Sequence, residues 1–509
     1  MLELDGTPLT LEAVVAVARH GEPVLVGIEA QARMAPAAAA VAQLDHDNAI
    51  AYGVTTGFGA LADRVIAPAD RSALQRSLVL SHAAGSGDPL PAEVVRGMML
   101  LRARTLCAGH SGVRPAVAVA IVGVLNSDLV PWVPELGSLG ASGDLAPLAH
   151  AACVLLGEGH ATLAGRRMSG HEALLHAGLT ALQVGPKEGL ALINGTDAMT
   201  ALLVLALHDL NDLLRLADCA AAMSIEAQLG TMTVFDEELI GLRPAPGQAR
   251  AAANLRGLLR DSQIVASHRD SHHAVQDAYS LRCTPQVHGA GRDLVDFCVA
   301  TTERELASVV DNPVVLTARG ELASTGNFHG QALAYAADCA AMVCADIAAI
   351  SERRVDRLLD PTKSRGLPAF LVGDPGLNSG FMIAQYTAAA LVSKLRHAAT
   401  PYSVQSMSTS AGQEDHVSMG FEAAMRTRQS VAQLRQVLAV EVICAAQALD
   451  MRSPLKPGPG TSTICVNLRK RVAFLEADRV LGDDLATTVE WLSTPAWRSD
   501  LEAVVGPLQ

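Results

Sequence analysis

The sequence predicts an all-α protein built mainly from long helices. Aromatic residues make up only 3% of the 509 residues whereas 50% are hydrophobic, so small aliphatic side chains must fill most of the interior. Such residues suit closely packed helices better than sheets. A second observation favours the same fold class, because several apolar stretches keep helical spacing over roughly 30 residues.

The first elements are short. Helical segments are expected within residues 8–43, where Thr10 to Glu12 opens a stretch with apolar residues at helical spacing. Three glycines without periodicity then predict a mobile loop over Ala51–Arg64. Helix returns from Ala73 to Val124, and two turns rich in glycine and proline interrupt it: His82–Pro91 and Ala108–Pro115.

A cluster of helix-breaking residues, Pro131–His150, precedes the longest helical patterns. Within it, Asp144 stands at an expected helix start, where a carboxylate can cap free amides and Pro147 is tolerated in the first turn. Helices of ~30 residues extend ~45 Å, which predicts an elongated bundle whose apolar stripes are covered by the same or other subunits. Five long helices are expected, at Thr196–Leu229, Gly289–Val310, Gly330–Leu359, Ser379–Arg396 and Met419–Leu449.

No linker rich in Ser or Pro separates independent domains. We expect one architecture with three regions that do not fold independently. Residues 1–200 hold the glycine-rich loop, residues 201–450 form the bundle of long helices, and residues 451–509 begin with the loop Met451–Thr463 and end in short helices.

Charge and cysteine usage narrow the class of protein. A net charge of −13 argues against a nucleic-acid or anionic-membrane partner, since either needs a basic surface. The nine scattered cysteines contain no C-x-x-C pair and are typical of reduced core residues in a cytosolic protein. The N-terminus lacks the features of a signal peptide, and Ala198–Leu207 and Val437–Leu449 are too short or too interrupted to span a membrane. A cytoplasmic location is therefore expected.

The segment Gly140–Asp144, with the sequence GASGD, invites interpretation as a nucleophile turn. The serine-hydrolase elbow requires G-x-S-x-G, and Asp144 stands where the last glycine should be. A hydrolase is therefore weakly indicated, and the segment taken alone favours an ordinary glycine-rich turn.

Its surroundings carry more information, because GSLGASGDLAPLAH (137–150) resembles the signature of the aromatic amino-acid ammonia-lyase and histidase family. Further blocks resemble the family's in the same order: YGVTTGFG (52–59), SHAAG (81–85), LINGTDA (192–198), VQDAYSLRCTPQVHG (275–289), DNPVV (311–315), GNFHG (326–330), NSGFMIAQ (378–385) and QEDHVSM (413–419). Together they cover nearly the whole chain. The resemblance implies the helical architecture shared with L-aspartase and fumarase, with an N-terminal region that bears the catalytic tripeptide.

The resemblance also implies that Ala141, Ser142 and Gly143 cyclise into 3,5-dihydro-5-methylidene-4-imidazolone (MIO), with no external cofactor. Glycine allows the close, strained approach that ring closure needs, and serine supplies an oxygen that can be eliminated. Helix amides near Asp144 would make the product more electron-poor. The sequence leaves open whether the substrate's amine or its ring attacks this electrophile.

The family's catalytic base is the tyrosine of the glycine-rich loop, which corresponds to Tyr52. The loop's glycines would let it close as a lid over the site. Thr55 departs from the Asn or Ser found in most relatives, but its hydroxyl can still bond locally, so we expect little effect.

By the same resemblance, Arg282 binds the substrate carboxylate, because its planar fork matches a carboxylate bidentately. Asn194, Tyr279 and Gln276 are the expected hydrogen-bonding partners, and Phe328 is expected to border the electrophile. Ala278 stands where many relatives have proline, which alters loop stiffness more than chemistry.

Two remote blocks indicate the substrate. Ser81-His82 resembles the histidases, and Glu414 can accept a hydrogen bond from an imidazole N–H that phenyl substrates lack. The alternative for Glu414 is a structural ion pair. The resulting hypothesis is non-oxidative deamination of L-histidine to trans-urocanate and ammonia, in a homotetramer whose active sites are shared between subunits.

Rival interpretations remain at this point. A tyrosine or phenylalanine ammonia-lyase or aminomutase has the same fold, and a silent helical scaffold has no reason to keep Ala141–Gly143, Tyr52 and Arg282 together. His171 and Glu172 begin an H-E-x-x-x-H pattern that is one residue too long for a zincin. No metal is expected, although four residues are dense enough in potential ligands to be considered: His268, Asp270, His272 and His273.

Overall fold

The computed structural model describes residues 1–271 and 275–509, and within them the chain is mainly helical. The described residues contain twenty α-helices: α1 Leu11–His20, α2 Ile28–His46, α3 Arg71–His82, α4 Ala92–Cys107, α5 Pro115–Leu125, α6 Leu145–Leu155, α7 Gly170–His176, α8 Glu188–Ile193, α9 Asp197–Ala227, α10 Glu237–Gly241, α11 Pro246–Leu259, α12 Gln263–Ser267, α13 Tyr279–Arg282, α14 Thr284–Ala307, α15 Gln331–Leu359, α16 Met382–Ala398, α17 Gly420–Asp450, α18 Pro459–Arg469, α19 Leu481–Leu492 and α20 Ala496–Val505. The predicted fold class is therefore confirmed.

Short strands form four small sheets in the same described ranges, and the sequence analysis did not predict them. Strands of three or four residues are too short to show an alternating pattern. The pairs are β1 (Leu2–Leu4) parallel to β2 (Val24–Val26), β3 (Ser86–Pro89) antiparallel to β5 (Pro134–Leu136), β4 (Leu129–Pro131) antiparallel to β6 (His160–Leu163), β6 antiparallel to β7 (Arg166–Ser169), and β8 (Val314–Leu316) antiparallel to β9 (Glu321–Ala323).

The five predicted long helices correspond to α9, α14, α15, α16 and α17. The largest difference is in α14, which starts five residues before the predicted Gly289. The helix start expected at Asp144 is confirmed, because α6 begins at Leu145 with Pro147 in its first turn.

Local capping explains why α1 begins and ends where it does. The Thr10 side chain accepts a hydrogen bond from the Ala13 amide, and Gly21 ends the helix with a left-handed φ of 69°. In α7, Ser169 and Glu172 form a reciprocal capping box, so the glutamate of the H-E-x-x-x-H pattern stabilises a helix start.

The chain divides into two compact units. Unit 1 comprises Met1–His208, Cys298–Asp338 and Pro401–Arg428, and unit 2 comprises Asp209–Phe297, Cys339–Thr400 and Gln429–Gln509. In unit 1, α4 is buried from Val94 to Cys107 except at Arg96. In unit 2, the apolar segment Val437–Leu449 is buried throughout.

Two helices, α15 and α17, are long and apolar enough to cross a membrane by length and composition alone. Their most apolar windows are 67% and 78% buried inside the protein, which is the burial of core helices. Seven of the nine cysteines are buried, and none forms a disulfide.

Candidate active site

The tripeptide Ala141–Gly143 lies directly before α6, against the turn that follows α8. Gly143 pairs with Gly195 in an isolated β-bridge, and the Asp144 amide donates to the Gly195 carbonyl at 2.7 Å. Gly143 has a φ of +70°, and a Cβ atom there would collide with the Gly195 carbonyl oxygen. Only glycine permits this approach, so the tripeptide fits the backbone demands of a ring closure.

Ser142 has a defined hydrogen-bond partner. Its Oγ donates to Oδ1 of the buried Asn194 at 2.8 Å, and Asn194 Nδ2 donates to the Asn312 carbonyl at 2.7 Å. Since a backbone carbonyl can only accept, the second bond identifies which end of the Asn194 side chain is the amide nitrogen. The hydroxyl that ring formation would eliminate is thus held by a predicted site residue.

Asp144 does not cap its own helix, contrary to the expectation from sequence. Its Oδ2 accepts from the Met199 amide at 2.8 Å, in the first turn of α9, and its Oδ1 accepts from Ser138 Oγ at 3.0 Å. The carboxyl is fully buried, and this desolvation raises its pKa to about 7 despite those hydrogen bonds. The carboxylate serves the start of a helix remote in sequence, which local capping rules do not predict.

Tyr52 lies half-buried in the glycine-rich loop. Its Oη accepts a hydrogen bond from the Gly59 amide at 3.0 Å, and its ring packs edge-on to Phe58, with centroids 6.4 Å apart. The Thr55 hydroxyl donates to the Ala49 carbonyl at 2.6 Å and accepts from the Ala51 amide at 2.9 Å. Thr55, which departs from the family pattern, therefore uses its hydroxyl in local hydrogen bonds at the start of the loop.

His82 is the last residue of α3. Its Nδ1 lies 2.9 Å from the Leu78 carbonyl, which can only accept, so Nδ1 carries the proton and Nε2 keeps its lone pair. Burial lowers the pKa of His82, while the Leu78 hydrogen bond and the charge of Glu414 act in the opposite direction. His82 and Glu414, which are 332 residues apart in the sequence, thus lie within electrostatic range of each other.

Glu414 sits on a short loop whose shape is set by Thr409. The two backbones pair in an isolated bridge, and Thr409 Oγ1 donates to Glu414 Oε2 at 2.8 Å. Among residues 1–271 and 275–509, Glu414 forms no ion pair. Its alternative role, as a member of a structural ion pair, therefore has no partner residue there.

Phe328 lies in the turn between β9 and α15. The next residue, His329, stacks on His416 with ring centroids 5.8 Å apart, and its Nε2 donates to the His416 carbonyl at 3.1 Å. This contact joins the Phe328 turn to the segment of Glu414. No pattern in the sequence singled out His329, His416 or Asn312, although all three lie inside blocks that resemble the family's.

Gln276, Tyr279 and Arg282 form a separate group in unit 2. The Arg282 guanidinium lies over the Tyr279 ring at 4.7 Å, and its Nε donates to the Asp277 carbonyl at 2.9 Å. Gln276 is exposed, and Tyr279 is 72% exposed in the single chain. Ala278 has a φ of −63°, the value that proline would impose, so its departure from the family is compatible with either residue.

The site residues therefore fall into two groups. Unit 1 contains Tyr52, His82, Ala141–Gly143, Asn194, Phe328 and Glu414, and unit 2 contains Gln276, Tyr279 and Arg282. Of the four potential metal ligands, His272 and His273 lie outside the described residues. Within the part of the chain that the structure describes, no three His, Cys, Asp or Glu side chains form a metal-binding cluster.

Comparison with known proteins shows similarity over nearly the full length of the chain. The family described as aromatic amino acid lyase matches residues 9–470. A histidine ammonia-lyase from Symbiobacterium thermophilum is 48% identical over 504 residues, covering 99% of both chains. Among solved structures, histidine ammonia-lyase from Trypanosoma cruzi is 37% identical with a TM-score of 0.91, covering 99% of this chain and 96% of that one. Tyrosine aminomutase from Streptomyces globisporus is 35% identical with a TM-score of 0.94, covering both chains completely.

Proposed function

Because this chain belongs to the aromatic amino acid lyase family, we propose that it is a histidine ammonia-lyase acting on L-histidine to release trans-urocanate and ammonia. The observation that carries the choice of substrate is the shared environment of His82 and Glu414. A carboxylate within electrostatic range of a neutral imidazole suits an imidazole substrate, whose ring N–H can donate to either group. A phenyl or phenol ring would leave this polar pair without that partner.

The tripeptide Ala141–Gly143 would form the MIO group from its own atoms. When formed, the group supplies an electrophile that makes loss of the substrate's amine feasible without an added cofactor. The left-handed Gly143 and the Ser142–Asn194 hydrogen bond support this assignment.

Tyr52 is the proposed base that removes the β-proton of the substrate. The Gly59 amide directs its partial positive charge at the Tyr52 oxygen, and the glycines of the loop allow it to exclude water when substrate is bound. Asn194 holds the substrate beside the tripeptide, and Phe328 limits the space around it.

Arg282, Tyr279 and Gln276 are proposed to bind the substrate carboxylate. Arg282 makes one hydrogen bond, through Nε, so its two terminal nitrogens have no partner among residues 1–271 and 275–509 and are available to a carboxylate. The exposure of Tyr279 in the single chain supports a homotetramer in which these residues complete the site of another subunit. Such an enzyme of histidine degradation would act in the cytoplasm.

Two measurements test this proposal. Intact-mass analysis of the purified protein should show a deficit of two water molecules, and the Ser142→Ala variant should show neither that deficit nor activity. An unmodified wild-type mass would refute the electrophile.

Substrate assays then separate the family's reactions. We expect urocanate from histidine far faster than cinnamate or coumarate from phenylalanine or tyrosine. Faster reaction of tyrosine, or formation of a β-amino acid, would instead identify the ammonia-lyase or aminomutase alternatives.

A further inference from the structure

The buried ion pair Lys187–Asp311 is connected to Asn194 through Asn312. The proposed reaction does not use this pair. Lys187 Nζ donates to Asp311 Oδ2 at 2.8 Å, and both side chains are completely buried. Burial lowers the pKa of the Lys187 ammonium, whereas the charge of Asp311 opposes that shift. Removing two charges from water costs several kcal/mol per ion, so such a pair is weak support for stability and calls for another role.

A series of hydrogen bonds connects the Lys187–Asp311 pair to Ser142 of the tripeptide. The other oxygen of Asp311, Oδ1, accepts from the Asn312 amide at 2.7 Å. The Asn312 carbonyl in turn accepts from Asn194 Nδ2, and Asn194 Oδ1 accepts from Ser142 Oγ. Every hydrogen bond in this series lies within unit 1.

Asn312 also contacts the segment that precedes Phe328. Its side-chain Oδ1 accepts from the Thr325 amide at 2.9 Å, and Thr325 Oγ1 accepts from the Asn327 amide at 3.1 Å, next to Phe328. The backbone and the side chain of Asn312 therefore hold two different parts of the site.

We propose that the Lys187–Asp311 pair is a positioning device for ring formation, acting through Asn312 to aim the Asn194 amide oxygen at the Ser142 hydroxyl. The two ends of an asparagine side chain are nearly the same in shape, and the Asn312 carbonyl distinguishes them because it accepts only from the NH2 end. If Asn312 shifted, Asn194 could turn and present its NH2 group to Ser142. This inference rests on the proposed function.

The step being positioned is a double dehydration. A bond forms between the Gly143 nitrogen and the Ala141 carbonyl carbon, and the Ala141 oxygen leaves as water with the amide hydrogens of Ser142 and Gly143. The Ser142 hydroxyl leaves as a second water with the hydrogen from the Ser142 Cα. The Ser142 Oγ that Asn194 holds is thus the leaving oxygen of the second elimination.

The test removes both charges together, which avoids leaving one buried charge unpaired. The variant is Lys187→Met with Asp311→Asn, in which the asparagine can still accept from the Asn312 amide. A neighbouring ion pair provides a matched control, Arg114→Gln with Glu188→Gln, because Glu188 follows Lys187 directly in the sequence. Glu188 is 2% exposed and lies 2.7 Å from Arg114, but it has no bond to Asn312.

We expect the control to keep the two-water deficit and wild-type turnover even if its melting temperature falls. The Lys187/Asp311 variant should contain mostly chains of unmodified mass, with kcat lowered roughly 100-fold and circular dichroism unchanged. If it does not fold, Lys187→Gln, which can still donate a neutral hydrogen bond to Asp311, takes its place.

A folded variant with the full mass deficit and control-level turnover would overturn the positioning role. A wild-type protein without the deficit would overturn the proposed function, and this inference with it. The two failures are therefore distinguishable from the wild-type mass alone.

Discussion

At the scale of single residues, the proposed selection of the substrate depends on how Glu414 and His82 are held. Thr409 occupies Oε2 of Glu414, which leaves Oε1 available to a ligand. The Leu78 carbonyl fixes the proton of His82 on Nδ1, which leaves Nε2 as an acceptor. Both groups therefore offer acceptors, the complement of an imidazole N–H.

Replacing Glu414 by Gln should lower kcat/KM for histidine by about 10- to 100-fold, the equivalent of a hydrogen bond to a charged group at ~1.5–3 kcal/mol. Activity toward phenylalanine should fall less or rise, because that substrate makes no such bond. Asp415→Asn, which removes the adjacent exposed charge, serves as the control. Equal losses for both substrates would contradict the role of Glu414.

The titration of His82 should produce an acidic limb in the pH profile of kcat/KM, which is a loss of activity at low pH. Burial lowers its pKa from the ordinary value of 6.5, so His82 remains neutral at pH 7 and becomes cationic only below 6.5. Protonation would turn Nε2 from an acceptor into a donor, so activity should fall as the pH drops through that lowered pKa. The substrate histidine titrates equally in both assays, so comparison with the profile of His82→Gln removes its contribution. An identical acidic limb in the variant would assign it to another group.

At the scale of structural elements, the glycine-rich loop is anchored at both ends by one buried side chain. Arg71, at the start of α3, donates to the Asp45 carboxylate at 2.8 Å and to the Asn48 side chain at 2.8 Å, before the loop. It also donates to the Ile66 carbonyl at 3.3 Å, after the loop. The positions of the loop's ends thus depend on a planar, five-donor group that lysine cannot replace.

Replacing Arg71 by Met should release the loop that carries Tyr52. Limited proteolysis within residues 51–64 should become faster, and kcat should fall more than KM rises, because the base loses its position. Arg76→Met is the matched control, since Arg76 lies on the same helix but pairs with Glu158 at the surface. Unchanged proteolysis with normal turnover would show that the loop is held by other contacts.

At the scale of the whole molecule, the site residues are divided between two compact units of the chain. In the proposed homotetramer, the tripeptide of one subunit works with Arg282 of another. Two defective variants with lesions in different units could then complement each other in a mixed assembly.

Coexpressed Ser142→Ala and Arg282→Ala chains should therefore recover activity that neither variant has alone. Some sites in a mixed tetramer would contain both an intact tripeptide and an intact arginine. The control mixes Ser142→Ala with Asn194→Ala, two residues hydrogen-bonded to each other, for which no recovery is expected. Failure of the first mixture to recover activity would place Ser142 and Arg282 of one chain in one site.

The sequence alone determined the helical fold class, the long helices and the family. These features depend on periodicity over many residues and on ordered blocks that span the chain, so each is supported by many positions at once. The cap at Thr10 was also readable, because its partner Ala13 lies three residues away.

Only the tertiary structure decided which remote groups meet. Asp144 looked like the cap of its own helix, yet its carboxylate binds the Met199 amide, 55 residues later. No sequence pattern paired Lys187 with Asp311, although together they form a buried ion pair. Hydrogen bonds between distant segments depend on where folding places each backbone amide and carbonyl, and local sequence patterns do not encode that placement.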